Sequence, residues 1–130
     1  EEVLAAFCSC LAENFRDEKD SYCKRQALRA LYYIEEHYKD TDVTLNSVCS
    51  HLAMSTSYFS SIFKNYTGET FIEALTRKRV EKAKFLLENT SRKNYEIACD
   101  VGYSDPHYFS NIFKKATGMT PTEYARKVRK

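Results

Sequence analysis

The chain has little with which to break a helix: three glycines and two prolines in 130 residues. That scarcity, together with the lack of any alternating β-branched run long enough for a sheet, predicts an all-α fold. No apolar run approaches the ~20 residues that span a bilayer, and no signal-peptide pattern is present. The expected location is therefore cytoplasmic, with no membrane partner. Five cysteines, Cys8, Cys10, Cys23, Cys49 and Cys99, are an odd number without C-x-x-C spacing, which argues against a disulfide framework and a standard zinc site. They are read as reduced thiols, and no metal or cofactor is expected. His37, His51 and His107 have no nucleophile or carboxylate at motif spacing, so nothing points to an enzyme. The net charge of +2 is too small to argue for nucleic acid by itself. What counts is where the cations sit.

What the chain does have is a repeat. YFSSIFKNYTGET begins at Tyr58, YFSNIFKKATGMT begins at Tyr108, and ten of sixteen positions are identical between Tyr58–Glu73 and Tyr108–Glu123. Much of that identity is punctuation. Gly68 and Gly118 follow threonine where a left-handed residue closes a helix, Thr70-x-x-Glu73 and Thr120-x-x-Glu123 read as capping boxes, and Pro121 takes a first helical position. Upstream of each copy stands a shorter helical segment, Leu45 to Leu52 and Tyr95 to Val101, the second with Asn94 as expected cap. Short turns follow, Ala53-Met54-Ser55 and Gly102-Tyr103-Ser104. A second helix then starts at Ser55 or Thr56 in one copy, and at Ser104 or Asp105 with Pro106 in the other. Two short helices joined by a tight turn are a helix-turn-helix. Gly102 fits a turn position that wants positive φ; Ala53 in the first copy predicts strain there.

The remaining identical residues split by face. Phe59, Ile62 and Phe63, with Phe109, Ile112 and Phe113, share an apolar stripe and are expected in the core. Ser57, Ser60, Ser61 and Lys64 fall opposite, as do His107, Ser110, Asn111 and Lys114. Short polar side chains let a helix approach a groove closely. Between the units, Thr70 to about Glu88 runs without Gly or Pro, with Ile72, Leu75, Val80, Ala83, Leu86 and Leu87 expected on one stripe. At 1.5 Å per residue this rod is roughly 28 Å long, close to the ~34 Å between major grooves on one face of B-DNA. Arg79 falls within the stripe, so its stem is expected in the core and its head on a carboxylate or on helix-end carbonyls. Phe85 falls on the polar side, exposed.

The series Leu45, Leu52, Ser55, Tyr58-Phe59, Phe63-Lys64, Gly68, Leu75, Arg79, Ala83, Leu86-Leu87, Ile97-Ala98, Val101-Gly102-Tyr103, Tyr108-Phe109-Ser110, Phe113-Lys114, Gly118 and Thr120-Pro121 resembles the AraC/XylS family's DNA-binding domain. The resemblance covers about Ala27 to Lys127. It implies about seven helices and two helix-turn-helix units, about 44–67 and 94–117, joined by a linker helix over 70–88 and set in adjacent major grooves. It also implies transcriptional regulation, usually activation, with double-stranded DNA and RNA polymerase as partners. By the same resemblance Ser57, Ser60, Ser61, His107, Ser110 and Asn111 face bases, and Thr56, Lys64 and Lys114 face phosphate. Ala125 departs from the family's frequent arginine, and Arg126 is expected to stand in for it.

Residues 1–25 fall outside the resemblance. Leu4, Cys8, Leu11 and Phe15 recur at helical spacing before the polar run Asp17 to Ser21, and read as a helical linker from an upstream module, a sensor or receiver through which the chain would form a homodimer. The DNA-binding unit is expected over 26–130. Two rival readings remain. One is a helical protein-interaction module that no longer binds DNA, against which Lys64 and Lys114 argue. The other is a zinc-cysteine alkyl-transfer regulator built on Cys8, Cys10 and Cys23, which lacks a fourth ligand.

Overall fold

The computed structural model describes residues 21–128, all of whose regular structure is helical. Helix α1 covers 21–37, and α2 (Leu45–Leu52), α3 (Thr56–Thr67), α4 (Phe71–Asn89), α5 (Asn94–Asp100), α6 (Pro106–Thr117) and α7 (Pro121–Val128) follow. Cys8, Cys10 and the helix expected before residue 17 lie outside the described residues. Helix α1 runs without a break through residues 25 and 26, and Cys23 is buried on it. Among the described residues no helix is long and apolar enough to cross a membrane.

The caps explain the boundaries. Thr44 and Ser47 form a reciprocal capping box at α2, and Ser55 caps α3 by accepting from Tyr58 N. Thr70 Oγ1 accepts from Glu73 N at 3.1 Å, and Thr120 Oγ1 accepts from Glu123 N at 3.2 Å. Gly68 and Gly118 close α3 and α6 in the left-handed region, at φ 81° and 84°. Inside each closure a threonine repeats the same arrangement: Thr67 Oγ1 donates to Phe63 O at 2.7 Å and Thr117 Oγ1 donates to Phe113 O at 2.8 Å. The expectation at Asn94 needs correcting. The cap of α5 is Lys93, with no side-chain cap bond, and Asn94 is helical, its Nδ2 donating instead to Thr122 Oγ1 at 2.8 Å. The amide holds α5 to α7, a contact no local pattern discloses.

Two apolar cores lie on either side of α4. The first joins Ala30, Ile34, Val48, Leu52, Phe59 and Phe63 to Phe71, Ala74 and Leu75. The second joins Val80, Ala83 and Leu87 to Ile97, Val101, Phe109 and Phe113. At 100° per residue, the mean directions of these two triplets on α4 differ by roughly 160°. The linker helix therefore buries nearly opposite faces in its two halves: Leu75, Val80, Ala83 and Leu87 of the expected stripe are buried and Leu86 packs on the second core, but the stripe leaves out Phe71 and Ala74 and wrongly includes Ile72. Ile72 pays the consequence by being 52% exposed, whereas Phe71, next to it, is buried against Phe59 and Phe63 at ring-centroid distances of 5.9 and 6.0 Å.

Candidate nucleic-acid interface

The two second helices of the repeat, α3 and α6, are built alike. Phe59 and Phe63 are fully buried on α3 and Phe109 and Phe113 on α6, which turns the opposite stripe of each helix outward. Ser57, Ser60, Ser61 and Lys64 are exposed on α3, and His107, Asn111 and Lys114 on α6, with Ser110 half-buried. Each stripe begins with short polar groups near the N-terminus and ends in a lysine in the last turn. Thr56, the first residue of α3, is half-buried beside the Ser55 cap. Arg126 is exposed on α7.

The two units differ in the turn before the second helix. In the first, Ala53 takes the left-handed conformation at φ 56° and Ser55 caps α3 two residues later. In the second, Gly102 takes it at φ 102° and Asp105 caps α6 three residues later. Hydrogen bonds confirm the correspondence: Met54 N donates to Cys49 O at 2.9 Å, and Tyr103 N to Ala98 O at 2.8 Å. The second turn is one residue longer. Its cap is also charged, since the Asp105 carboxylate accepts from His107 N at 3.0 Å. A carboxylate there complements the positive end of α6. The Ser55 cap leaves the start of α3 uncharged.

The identical tyrosines that open the two motifs are half exposed and each touches a neighbouring element at its edge. Tyr108 meets the Tyr103 ring at 5.8 Å. Tyr58 lies beside Cys23 of α1, which, with slight burial, raises its phenol above the ordinary value. Cys23 and Cys49 are buried free thiols and Cys99 is an exposed one. Among the described residues no three His, Cys, Asp or Glu side chains gather as a metal site.

Two cations escaped the sequence reading. Lys115 is exposed next to Lys114 in the last turn of α6. Lys93 is exposed at the start of α5 and lines an open recess with Asn94, Tyr95, Thr122 and Arg126. A signal for Lys93 existed: it stands where the first unit has the capping Thr44, and a lysine at an N-cap breaks a local rule, as residues with another duty do. Arg92 beside it is engaged, with Nε 2.6 Å from Asp100 Oδ2 and Nη2 3.5 Å from Glu96 Oε2. Ala125 is half-buried against the second core, so Arg126, one position on, is the residue of that pair that reaches solvent.

Comparison with known proteins agrees with this geometry. A family model described as a helix-turn-helix domain, of AraC type, matches residues 48–127. The chain belongs to the AraC-type family of helix-turn-helix DNA-binding domains. It is 36% identical over 129 residues to the HTH-type transcriptional activator Btr of Bacillus subtilis, covering 99% of this chain and 24% of Btr. It is 34% identical over 95 residues to the arabinose operon regulatory protein of Escherichia coli, covering 73% of this chain and 32% of that protein. The chain thus spans a third or less of the length of these curated relatives. Among solved structures, the C-terminal domain of AraT, a response regulator from Geobacillus stearothermophilus, superposes with a TM-score of 0.77 at 44% identity, covering 78% of this chain and 84% of that one. Within this AraC-type frame, α3 and α6 are the second helices of the two helix-turn-helix units.

Proposed function

We propose that this domain reads a non-palindromic duplex of about 15–20 base pairs by laying α3 and α6 in successive major grooves, and that it regulates transcription there, as an activator working with RNA polymerase. The observation that carries this reading is the mirrored pair of outward stripes, Ser57, Ser60, Ser61 and Lys64 against His107, Ser110, Asn111 and Lys114, each backed by two buried phenylalanines. The serines present single hydroxyls that serve several bases, whereas Asn111 can pair bidentately with adenine and His107 can donate to a guanine acceptor. Lys64, Lys114, Lys115, Lys93 and Arg126 supply phosphate contacts, with Thr56 at the first turn of α3. Few such contacts and a net charge of +2 give weak to moderate affinity for the isolated domain.

The names of its relatives support a regulator whose upstream part senses a signal: Btr is an activator, and AraT is a response regulator whose C-terminal domain this chain resembles. A second copy joined through that upstream part would raise affinity by effective concentration. Selection from random duplex DNA tests the reading. It should return one asymmetric site with two conserved blocks about one helical turn apart. Enrichment of no sequence, with no binding to duplex of any composition, would favour the protein-interaction reading instead.

A further inference from the structure

The two cores are separate, and α4 is the element common to both. Arg79 sits where its buried face changes over, between Leu75 of the first core and Val80 of the second, and is only 7% exposed. Its Nε donates to Tyr38 O at 2.8 Å and its Nη2 to Asp40 O at 2.9 Å. Both carbonyls belong to the chain as it leaves α1, in the first unit. The same guanidinium lies 5.0 Å from the centre of the Tyr103 ring, in the turn of the second unit. Gly102 completes the contact. A Cβ on it would lie 2.4 Å from Tyr38 O and 2.9 Å from Arg79 Nε, so only glycine lets the second turn close against the end of α1.

We propose that Arg79, clamped between Tyr38, Asp40, Gly102 and Tyr103, is the positioning residue that sets the angle between the two reading helices, and thereby the half-site spacing the protein accepts. The proposal rests on the two-groove reading. The chemistry suits an arginine: the planar fork reaches two carbonyls of one segment while its face lies on an aromatic ring of another, and a lysine has neither the fork nor the face. The negative end of the α1 dipole compensates the buried charge without a carboxylate. Unlike an exposed surface pair, this joint has no slack, because the turn backbone is already in contact behind it.

The test uses the selected wild-type site and two derivatives with one base pair inserted or removed between its blocks. Each step moves one block by ~3.4 Å and turns it by roughly 35°. Wild type should lose about 100-fold in affinity at either step, since one unit then cannot engage. R79K should bind the original site about 10-fold more weakly, yet lose less than about 5-fold further on insertion, because a loosened joint follows the displaced block. Cooperative thermal unfolding of the variant confirms that it is folded. An unchanged 100-fold penalty in folded R79K would overturn the proposal and leave Arg79 a stabilising residue only. Should R79K fail to fold, the same ratio is read on Y103L, which keeps both carbonyl bonds and removes the aromatic face; failure of both to fold would equally reduce the cluster to a structural role. A wild type indifferent to spacing would instead overturn the two-groove reading itself.

Discussion

Ala53 and Gly102 occupy the same left-handed position in the two helix-turn-helix turns, at φ 56° and φ 102°, and only one of them is a glycine. A left-handed alanine costs about 1–2 kcal/mol in the fold, partly offset by the greater freedom glycine loses on folding. Ala53→Gly should therefore stabilise the domain by about 0.5–1 kcal/mol. Gly102→Ala should cost about 3 kcal/mol or more, since it adds the same strain and a collision with backbone. Urea denaturation of the two variants reads both signs. A destabilising Ala53→Gly would mean that the first turn is not strained.

Asn111 and Lys114, one turn apart on α6, should fail differently. Asn111→Ala should relax preference at one base position, losing about 1–3 kcal/mol of discrimination. Lys114→Ala should weaken all sequences alike and lower the salt slope by about one. Repeating site selection with each variant separates the cases. If Asn111→Ala kept the parent's base preference in full, α6 would be an anchor and specificity would lie in α3 or in DNA shape.

The threonine that brackets each phenylalanine carbonyl should contribute equally in the two units. Thr67→Val and Thr117→Val each remove the donor to Phe63 O or Phe113 O and the acceptor of Glu69 N or Met119 N, at about 1–2 kcal/mol apiece. Because the bonds serve separate cores, the double variant should show their sum within about 0.5 kcal/mol. A clear departure in chemical denaturation would show that the cores are coupled through α4 more tightly than their packing suggests.

Tyr124 gives the domain an alkaline signature. Its hydroxyl donates to the Glu88 carboxylate, which, with slight burial, pushes the phenol up to about 12. A phenol raised in the fold above its ordinary value near 10 contributes stability that is complete below pH 10 and disappears as the pH climbs from about 10 to about 12. The pair is at the surface, so the effect is small. Spectrophotometric titration should show one tyrosine of the wild type ionising later than in Glu88→Gln. Superimposable curves would remove the interaction.

The residues legible in advance were those whose role is local. Gly68, Gly118, Thr70, Thr120, Ser55 and Pro106 announced helix ends because capping and left-handed closure depend on near neighbours only. The phenylalanine spacing gave the inward faces of α3 and α6, and with them the outward stripes. The sequence places the Arg79 head on a carboxylate or on helix-end carbonyls, and of the two it is the carbonyls, of Tyr38 and Asp40, that hold it. What stayed hidden was tertiary. A helix between two cores collects apolar residues on two faces, and its sequence reads as one wide stripe that takes in Ile72 and misses Phe71. Asn94 resembled a cap because asparagine often is one, while its partner Thr122 is 28 residues away. The fold of α5 onto α7 decides that contact.

Hydroxyl-radical footprinting of the isolated chain on its selected duplex addresses the two-groove arrangement most directly. Monomeric protein should protect two patches on one face of the DNA, centred about 10–10.5 base pairs apart and unequal in sequence. A single protected patch, or two patches that appear only with a second bound copy and are related by a palindrome, would contradict it.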